Sequence, residues 1–209
     1  MITSAGKLKG NTSSAGATPC LKGLVSSAKK GDAEAFAFLA RYYWAPIYRM
    51  VYHRVRSRMD AEDITQDVFI TAFKRVKSLN EESKFRSWLY TVAINRVRDH
   101  MRKRKLLNLM GFSAPKQADD IEQQGISEGP NAFEKVLRKD FWNEVENFLS
   151  ELSRFEREVF ILRFMDQLNI SEIAEVMGKG QSTIKTHLYR ALKKFRAEPR
   201  FRTFLEGIE

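Results

Sequence analysis

Three histidines, one cysteine and a glycine-lysine loop are the residues of this chain best suited to catalysis, and none of them sits in a catalytic arrangement. His53, His100 and His187 are far apart and none belongs to an H-E-x-x-H pair, so each reads as an ordinary helical histidine. Cys20 lies in a Ser/Thr/Gly-rich stretch with nothing to fix a base beside it. As the single cysteine it forms no internal disulfide and no Cys-rich metal site. Gly178-Lys179-Gly180-Gln181-Ser182 lacks the Gly-Lys-Ser/Thr order and the preceding strand of a phosphate loop. The acids Asp60, Glu62, Asp63 and Asp67 read as helix-start residues, favoured there by the helix dipole, rather than as metal ligands. The expectation is a chain with no catalytic residue, no metal and no cofactor.

The remaining chemistry is charge. Thirty-six basic residues against 26 acidic ones give +10 and a pI near 9.7, which calls for a polyanionic partner. Residues 86–105 carry net +6 and residues 179–196 another +6, so the other 171 residues sum to −2. The second run contains no acid, whereas a merely solvated helix face would mix both signs. No stretch approaches the roughly 20 apolar residues of a bilayer span, so no membrane insertion is expected. The absence of an apolar leader and the single cysteine point to a reducing cytoplasm.

The elements that must carry these charges read as helices throughout, because no segment sustains a period of two. The fold class expected is all-α: two small helical domains joined by a flexible linker. Residues 1–23 read as a disordered arm, 24–105 as the first domain, 106–131 as the linker and 132–209 as the second domain. Asp32 is expected to cap a helix bearing Phe36, Leu39 and Tyr43, with Pro46 bending or restarting it. Asp60 is the next expected cap, with Ile64, Val68, Ala72 and Val76 inward and Phe69 and Phe73 widening that face. A helix is expected from about 85 to 104, with Trp88, Leu89, Val92, Ala93, Val97 and Met101 as its apolar positions. In the second half Ser153 and Glu156 form an S-x-x-E capping box. Ser171 is expected to cap a short helix that Gly178 ends.

That short helix, a three-residue turn and the helix 181–197 make a helix-turn-helix, whose second helix enters a major groove with its N-terminal residues toward the bases. Those residues are Gln181, Ser182, Thr183, Lys185 and Thr186, with Arg190 extending the basic face. In the first half, Asn80, Ser83 and Lys84 precede a helix carrying Arg86, Tyr90, Asn95, Arg96 and Arg98. Aromatic and polar side chains beside basic ones suit exposed, single-stranded bases. Core packing is the better reading for Trp88, and Tyr90 is left open between core and surface.

Three motifs in order then carry a resemblance. Gly31-Asp32-Ala33-Glu34-Ala35-Phe36, Asp60-Ala61-Glu62-Asp63-Ile64-Thr65-Gln66-Asp67-Val68-Phe69 and Phe85-Arg86-Ser87-Trp88-Leu89-Tyr90 resemble region 2 of bacterial extracytoplasmic-function (ECF) sigma factors. Leu152 to Phe160 and the helix-turn-helix after it resemble their region 4. The resemblance implies an RNA polymerase subunit that directs transcription initiation and is not itself an enzyme. It implies that Asp60, Asp63, Gln66, Asp67 and Phe69 meet the β′ clamp helices of core RNA polymerase, and that region 4 meets the β flap. Asn80, Ser83, Lys84, Arg86, Tyr90, Asn95, Arg96 and Arg98 are implied to capture the opened −10 element of promoter DNA. Gln181, Ser182, Thr183, Lys185, Thr186 and Arg190 are implied to read the −35 element, and an anti-sigma factor is implied as regulator. Two positions depart from the family pattern: Lys179 stands where an apolar residue is usual, and Gly180 where Ser often caps the reading helix. The rival readings are a conventional helix-turn-helix regulator that does not bind polymerase, and a nucleic-acid-processing enzyme, for which no nucleophile or carboxylate metal site is visible.

Overall fold

The computed structural model describes residues 21–110 and 132–199, with side chains in the second segment described from Trp142 onward. Most of the expected arm, Cys20 included, and most of the expected linker lie outside the described residues. Every helix or turn element within them is helical: α1 (Leu21–Lys29), α2 (Ala33–Val55), α3 (Arg58–Arg75), α4 (Phe85–Leu109), α5 (Ala132–Glu151), α6 (Arg154–Phe160), α7 (Ile170–Met177) and α8 (Gln181–Ala197). Two single 3-10 turns, Val76–Ser78 and Glu82–Lys84, bridge α3 to α4, and a π turn, Ile161–Met165, follows α6. No helix among the described residues is long and apolar enough to cross a membrane.

Local chemistry explains most boundaries. Gly31 has φ +101, open to glycine and strained for other residues, and it sets Asp32 so that its side chain accepts from Ala35 N at 3.0 Å. Helix α2 runs through Pro46 as one element, so the helix does not restart there. The ring removes one backbone donor, and the buried Tyr43, Ile47, Met50 and Val51 on either side hold the helix together. Ser57, not Asp60, caps α3: its Oγ accepts from Asp60 N at 3.3 Å, and Asp60 becomes a first-turn acid that the dipole favours. The capping box of α6 forms as expected, with Ser153 N donating to Glu156 Oε2 at 3.1 Å. Helix α7 is capped by Asn169 rather than Ser171, because Asn169 and Glu172 satisfy each other's backbone N–H at 2.9 and 2.8 Å. Gly178, at φ +61, ends α7 as expected.

Helices α1 to α4 bury Leu39, Ile47, Met50, Val51, Val68, Ala72, Leu89 and Ala93. This core continues without a break into the second half, through Val159, Leu162, Leu168, Ile173 and Ile184. A smaller cluster of Val145, Phe148, Leu149, Leu152, Phe160, Ile161 and Ala191 holds α5, α6 and α8 together. Helix α7 therefore lies directly against α4. Around the shared core the charges divide by sign. Arg54 donates to Glu158 at 3.0 Å and to Asp166 at 3.2 Å, and Arg56 pairs with Glu146. Arg86 pairs with Glu172 at 3.3 Å, and Lys84 lies 3.9 Å from Glu175. All these cations belong to the first half and all these acids to the second. Burial pushes the Asp166 carboxyl up, and Arg54 draws it part of the way back. Burial also opposes the charge on Arg54, but Asp166 and Glu158 outweigh it and raise its pKa.

His53 sits at the same joint, 6.0 Å ring to ring from Trp142 of α5, and its Nδ1 is buried without a partner. Burial, then Arg56, Arg54 and Arg49, lower its pKa from 6.5 to about 4. The unfolded chain takes up this proton near pH 6.5 and the folded chain near pH 4. Its contribution to stability is therefore complete above pH 6.5 and falls across that window by up to about 3 kcal/mol. Urea unfolding at pH 7, 5.5 and 4.5 should show a steeper loss for the native protein than for His53→Gln. Equal losses would assign the pH dependence elsewhere.

Candidate nucleic-acid and protein interfaces

Helix α8 presents Gln181, Ser182, Thr183, Lys185, Thr186 and Arg190 to solvent, while Ile184 and Ala191 are buried beneath them. Gly180 caps the helix without a side-chain bond, so the first-turn N–H groups are left to water or a phosphate. Thr186 Oγ1 donates to Ser182 O at 3.0 Å, and Gln181 Nε2 reaches Ser171 Oγ at 3.5 Å. Lys179, Lys193 and Arg196 are exposed as well. Lys194 is not a free cation, because it pairs with the buried Glu156 at 2.7 Å inside its own domain. A side chain the sequence reading passed over, Tyr189, stands 68% exposed between these cations.

The residues expected around α4 do not form one surface. Asn95, Arg98, Arg102 and Lys105 are exposed at helical spacing along one face, with Arg102 paired to Asp99. Arg96 turns inward and donates to Thr71 Oγ1 at 2.7 Å. Tyr90 belongs to the core at 1% exposure, with burial pushing its phenol up to about 12. Trp88, read as the better core candidate, is only half-buried. The two aromatics are two residues apart, so the tertiary neighbours decide which turns in. Arg86 lies over the Tyr90 ring at 5.8 Å and faces α7. Asn80 and Ser83 are exposed on the loop, and Lys84 pairs with Glu81 at 2.7 Å. Lys29 of α1 braces this loop by donating to Asn80 O at 3.4 Å and Glu82 Oε1 at 2.9 Å. Lys22, Gly23 and Ser26 of α1 line a groove of about 490 Å³ together with Asn80 to Ser83.

Helix α3 carries the opposite charge. Asp63, Gln66 and Asp67 are exposed as expected, but Phe69 is buried beneath Trp44 with their rings stacked 5.6 Å apart. Asp60 turns toward α4, its carboxylate 3.6 Å from His100. Phe73, expected inward, is 50% exposed. With Met59 and Ile70 it continues the Asp63–Gln66 line, so the stripe is apolar at both ends and acidic in the middle. Carrying the i, i+4, i+7 spacing beyond Gln66 in the sequence would have located Ile70 and Phe73.

Two family models match: Sigma-70 region 2 over residues 39–106 and Sigma-70, region 4 over residues 142–195. The chain is 29% identical over 181 residues to the ECF RNA polymerase sigma factor SigW of Bacillus subtilis, covering 86% of this chain and 97% of that one. It is 30% identical to the RNA polymerase sigma factor SigV of the same species, covering 72% and 82%. Two solved structures share its fold. One is CnrH in complex with the cytosolic domain of CnrY (TM-score 0.60, 21% identity, covering 85% of this chain and 95% of that one). The other is the sigma factor RpoE in complex with the anti-sigma factor NepR from Bartonella quintana (TM-score 0.57, 23% identity, covering 79% and 96%).

The division of α4 is open to test. Tyr90→Ala should cost about 3–5 kcal/mol in urea unfolding, as for other buried aromatics. Arg98→Ala should change stability by about 0.5 kcal/mol or less and instead weaken DNA binding in anisotropy at fixed salt. The reverse pattern would exchange their roles.

Proposed function

The chain belongs to the ECF group of the sigma-70 family, and on that footing we propose that it lends promoter specificity to core RNA polymerase through three separate surfaces. Its role is that of an initiation subunit acting in the cytoplasm, without catalytic chemistry of its own. The observation that carries the reading is the order of three surfaces along one chain: an acidic-apolar stripe, a basic helix behind a braced loop, and an exposed helix-turn-helix.

The α3 stripe supplies the polymerase contact. Asp63 and Asp67 offer carboxylates to arginines across an interface, and Met59, Ile70 and Phe73 supply apolar area on either side. The partner surface is the β′ clamp helices, while region 4 meets the β flap. Phe69 supports this face from beneath through Trp44. Helix α8 reads the −35 duplex: Gln181, Ser182 and Thr183 lie nearest the bases, and Lys185, Thr186 and Arg190 hold the phosphates and flanking edges. Asn80 and Ser83 on the loop, with Asn95 and Arg98 on α4, take the opened −10 strand. Base capture there offsets the few kcal/mol lost on unstacking. Lys84 and Arg86 join them once released from α7, and Tyr90 and Arg96 shape α4 from inside. Because a solved relative of this fold is held by an anti-sigma factor, the chain is proposed to have such a regulator.

Two measurements test this. Asp63→Arg with Asp67→Arg should leave the circular dichroism spectrum unchanged and abolish capture by core RNA polymerase; undiminished capture would remove α3 from the docking face. Arg190→Ala should weaken binding to a −35 duplex by about 1–3 kcal/mol at fixed salt, and an unchanged Kd would contradict the assignment of α8.

A further inference from the structure

The first turn of α6 reaches across to the recognition helix. There the Phe155 ring stacks on the His187 imidazole of α8, with centroids 5.5 Å apart and planes 22° from parallel. Phe155 is 47% exposed, so the stack lies at the surface rather than in the core. The turn that carries Phe155 is fixed on both sides. Ser153 and Glu156 close the capping box, and Glu156 also accepts from Lys194 Nζ at 2.7 Å, seven positions beyond His187 on α8. The imidazole is therefore held by a ring that is itself tied to α8. Its two nitrogens face different surroundings. Nδ1 is buried without a partner, whereas Nε2 reaches the surface. A buried N–H without an acceptor is the rarer defect, so the neutral ring carries its proton on Nε2. The imidazolium also carries a proton there, so in both forms the open edge is a donor. Thr183, His187 and Arg190 stand at i, i+4 and i+7 on α8, so the imidazole lines up with the exposed Thr183 and Arg190 on the side next to α6.

We propose that His187 Nε2 donates to a backbone phosphate of the −35 duplex, and that Phe155 is the positioning residue that holds the imidazole in the orientation this contact needs. The proposal rests on the reading of α8 as the duplex-reading helix. A phosphate is the acceptor because of where His187 stands. The residues nearest the bases are those at the N-terminus of a recognition helix, here Gln181 to Thr183. His187 comes a turn later and at the border of the exposed face, where the flank of the helix meets the wall of the groove. A ring clamped from one side has little freedom to reach further in. The contact therefore fixes the register of α8 on the duplex and is blind to base identity. It differs from the contacts of Lys185 and Arg190, because its donor is set in place by a second helix before DNA arrives, which lowers the cost of ordering it.

The full-length chain tests this in anisotropy at fixed salt, with a fluorescein-labelled duplex that the native chain has enriched from a random-sequence pool. Circular dichroism confirms that each variant compared is folded. His187→Leu should weaken binding about tenfold, the loss of one hydrogen bond to a charged acceptor. His187→Gln, whose amide nitrogen donates from nearly the same place, should recover most of that loss. Phe155→Leu should weaken binding about threefold, because the imidazole must then be ordered on binding. Phe155→Tyr keeps the stack and should bind as the native chain does. Phe155→Leu with His187→Leu should bind no more weakly than His187→Leu alone. Methylphosphonate, an uncharged phosphate replacement, is then placed at one position of the duplex at a time. One position should weaken the native chain and leave His187→Leu unaffected. Native affinity in His187→Leu overturns the proposal, as do additive losses in the double variant or a methylphosphonate scan to which the native chain and His187→Leu respond alike. Arg190→Ala separates the two ways of failing. If it too leaves affinity unchanged, the reading of α8 falls and the His187 contact with it. If it weakens binding while His187→Leu does not, the contact alone falls.

Discussion

Arg54 carries a charge taken almost wholly out of water, and a guanidinium so placed demands compensation. It finds Asp166 and Glu158, both from the far half of the chain. Removing one partner of a buried pair typically costs about 3–5 kcal/mol, because the other charge is left unmatched in a low dielectric. That demand fixes where the π turn Ile161–Met165 ends and where Asp166 must sit. With Asp166 in place, its carbonyl and that of Gln167 face Arg86, and α7 begins against α4. The helix-turn-helix is thus oriented by a cation more than 100 residues earlier in the chain.

The joint combines two kinds of interaction. Apolar continuity from Leu89 and Phe85 to Ile173 and Leu162 supplies the bulk of the attraction, and it is indifferent to direction. The charges give it direction: cations of the first half meet acids of the second, so a slip of one helical turn would part each charge from its partner. A joint built this way is sensitive to salt and to a competing polyanion, as a purely apolar one would not be. His53 adds a neutral, buried ring at the edge of the same surface, tolerable only while it stays unprotonated.

The net charge of the whole chain also changes meaning. The basic excess in and just before α4 is not uniformly available, since Lys84, Arg86 and Arg96 have internal partners while Arg98 and Lys105 do not turn inward. The acid stripe of α3 stays clear of these pairings, with Asp63 and Asp67 exposed among apolar neighbours. Acidic-apolar and basic surface chemistry therefore lie on different helices of one small bundle.

The sequence by itself determined the helical class, the place of the helix-turn-helix, the exposed face of α8 and the capping box at Ser153, because each rests on contacts within about four residues. It also located the acidic face of α3 and the two basic runs. It misplaced the caps of α3 and α7, where Ser57 and Asp60, or Asn169 and Ser171, compete within one turn and the choice follows from how the helix packs. It ranked Trp88 above Tyr90 as a core residue and placed Phe73 inward, because an aromatic at the border of an apolar stripe is buried or not according to the neighbouring helix. The closure of the two halves was decided by tertiary structure alone. Arg54 with Asp166, and Arg86 with Glu172, are ordinary charges in the sequence, and only the shared apolar core brings them within hydrogen-bond reach and out of water.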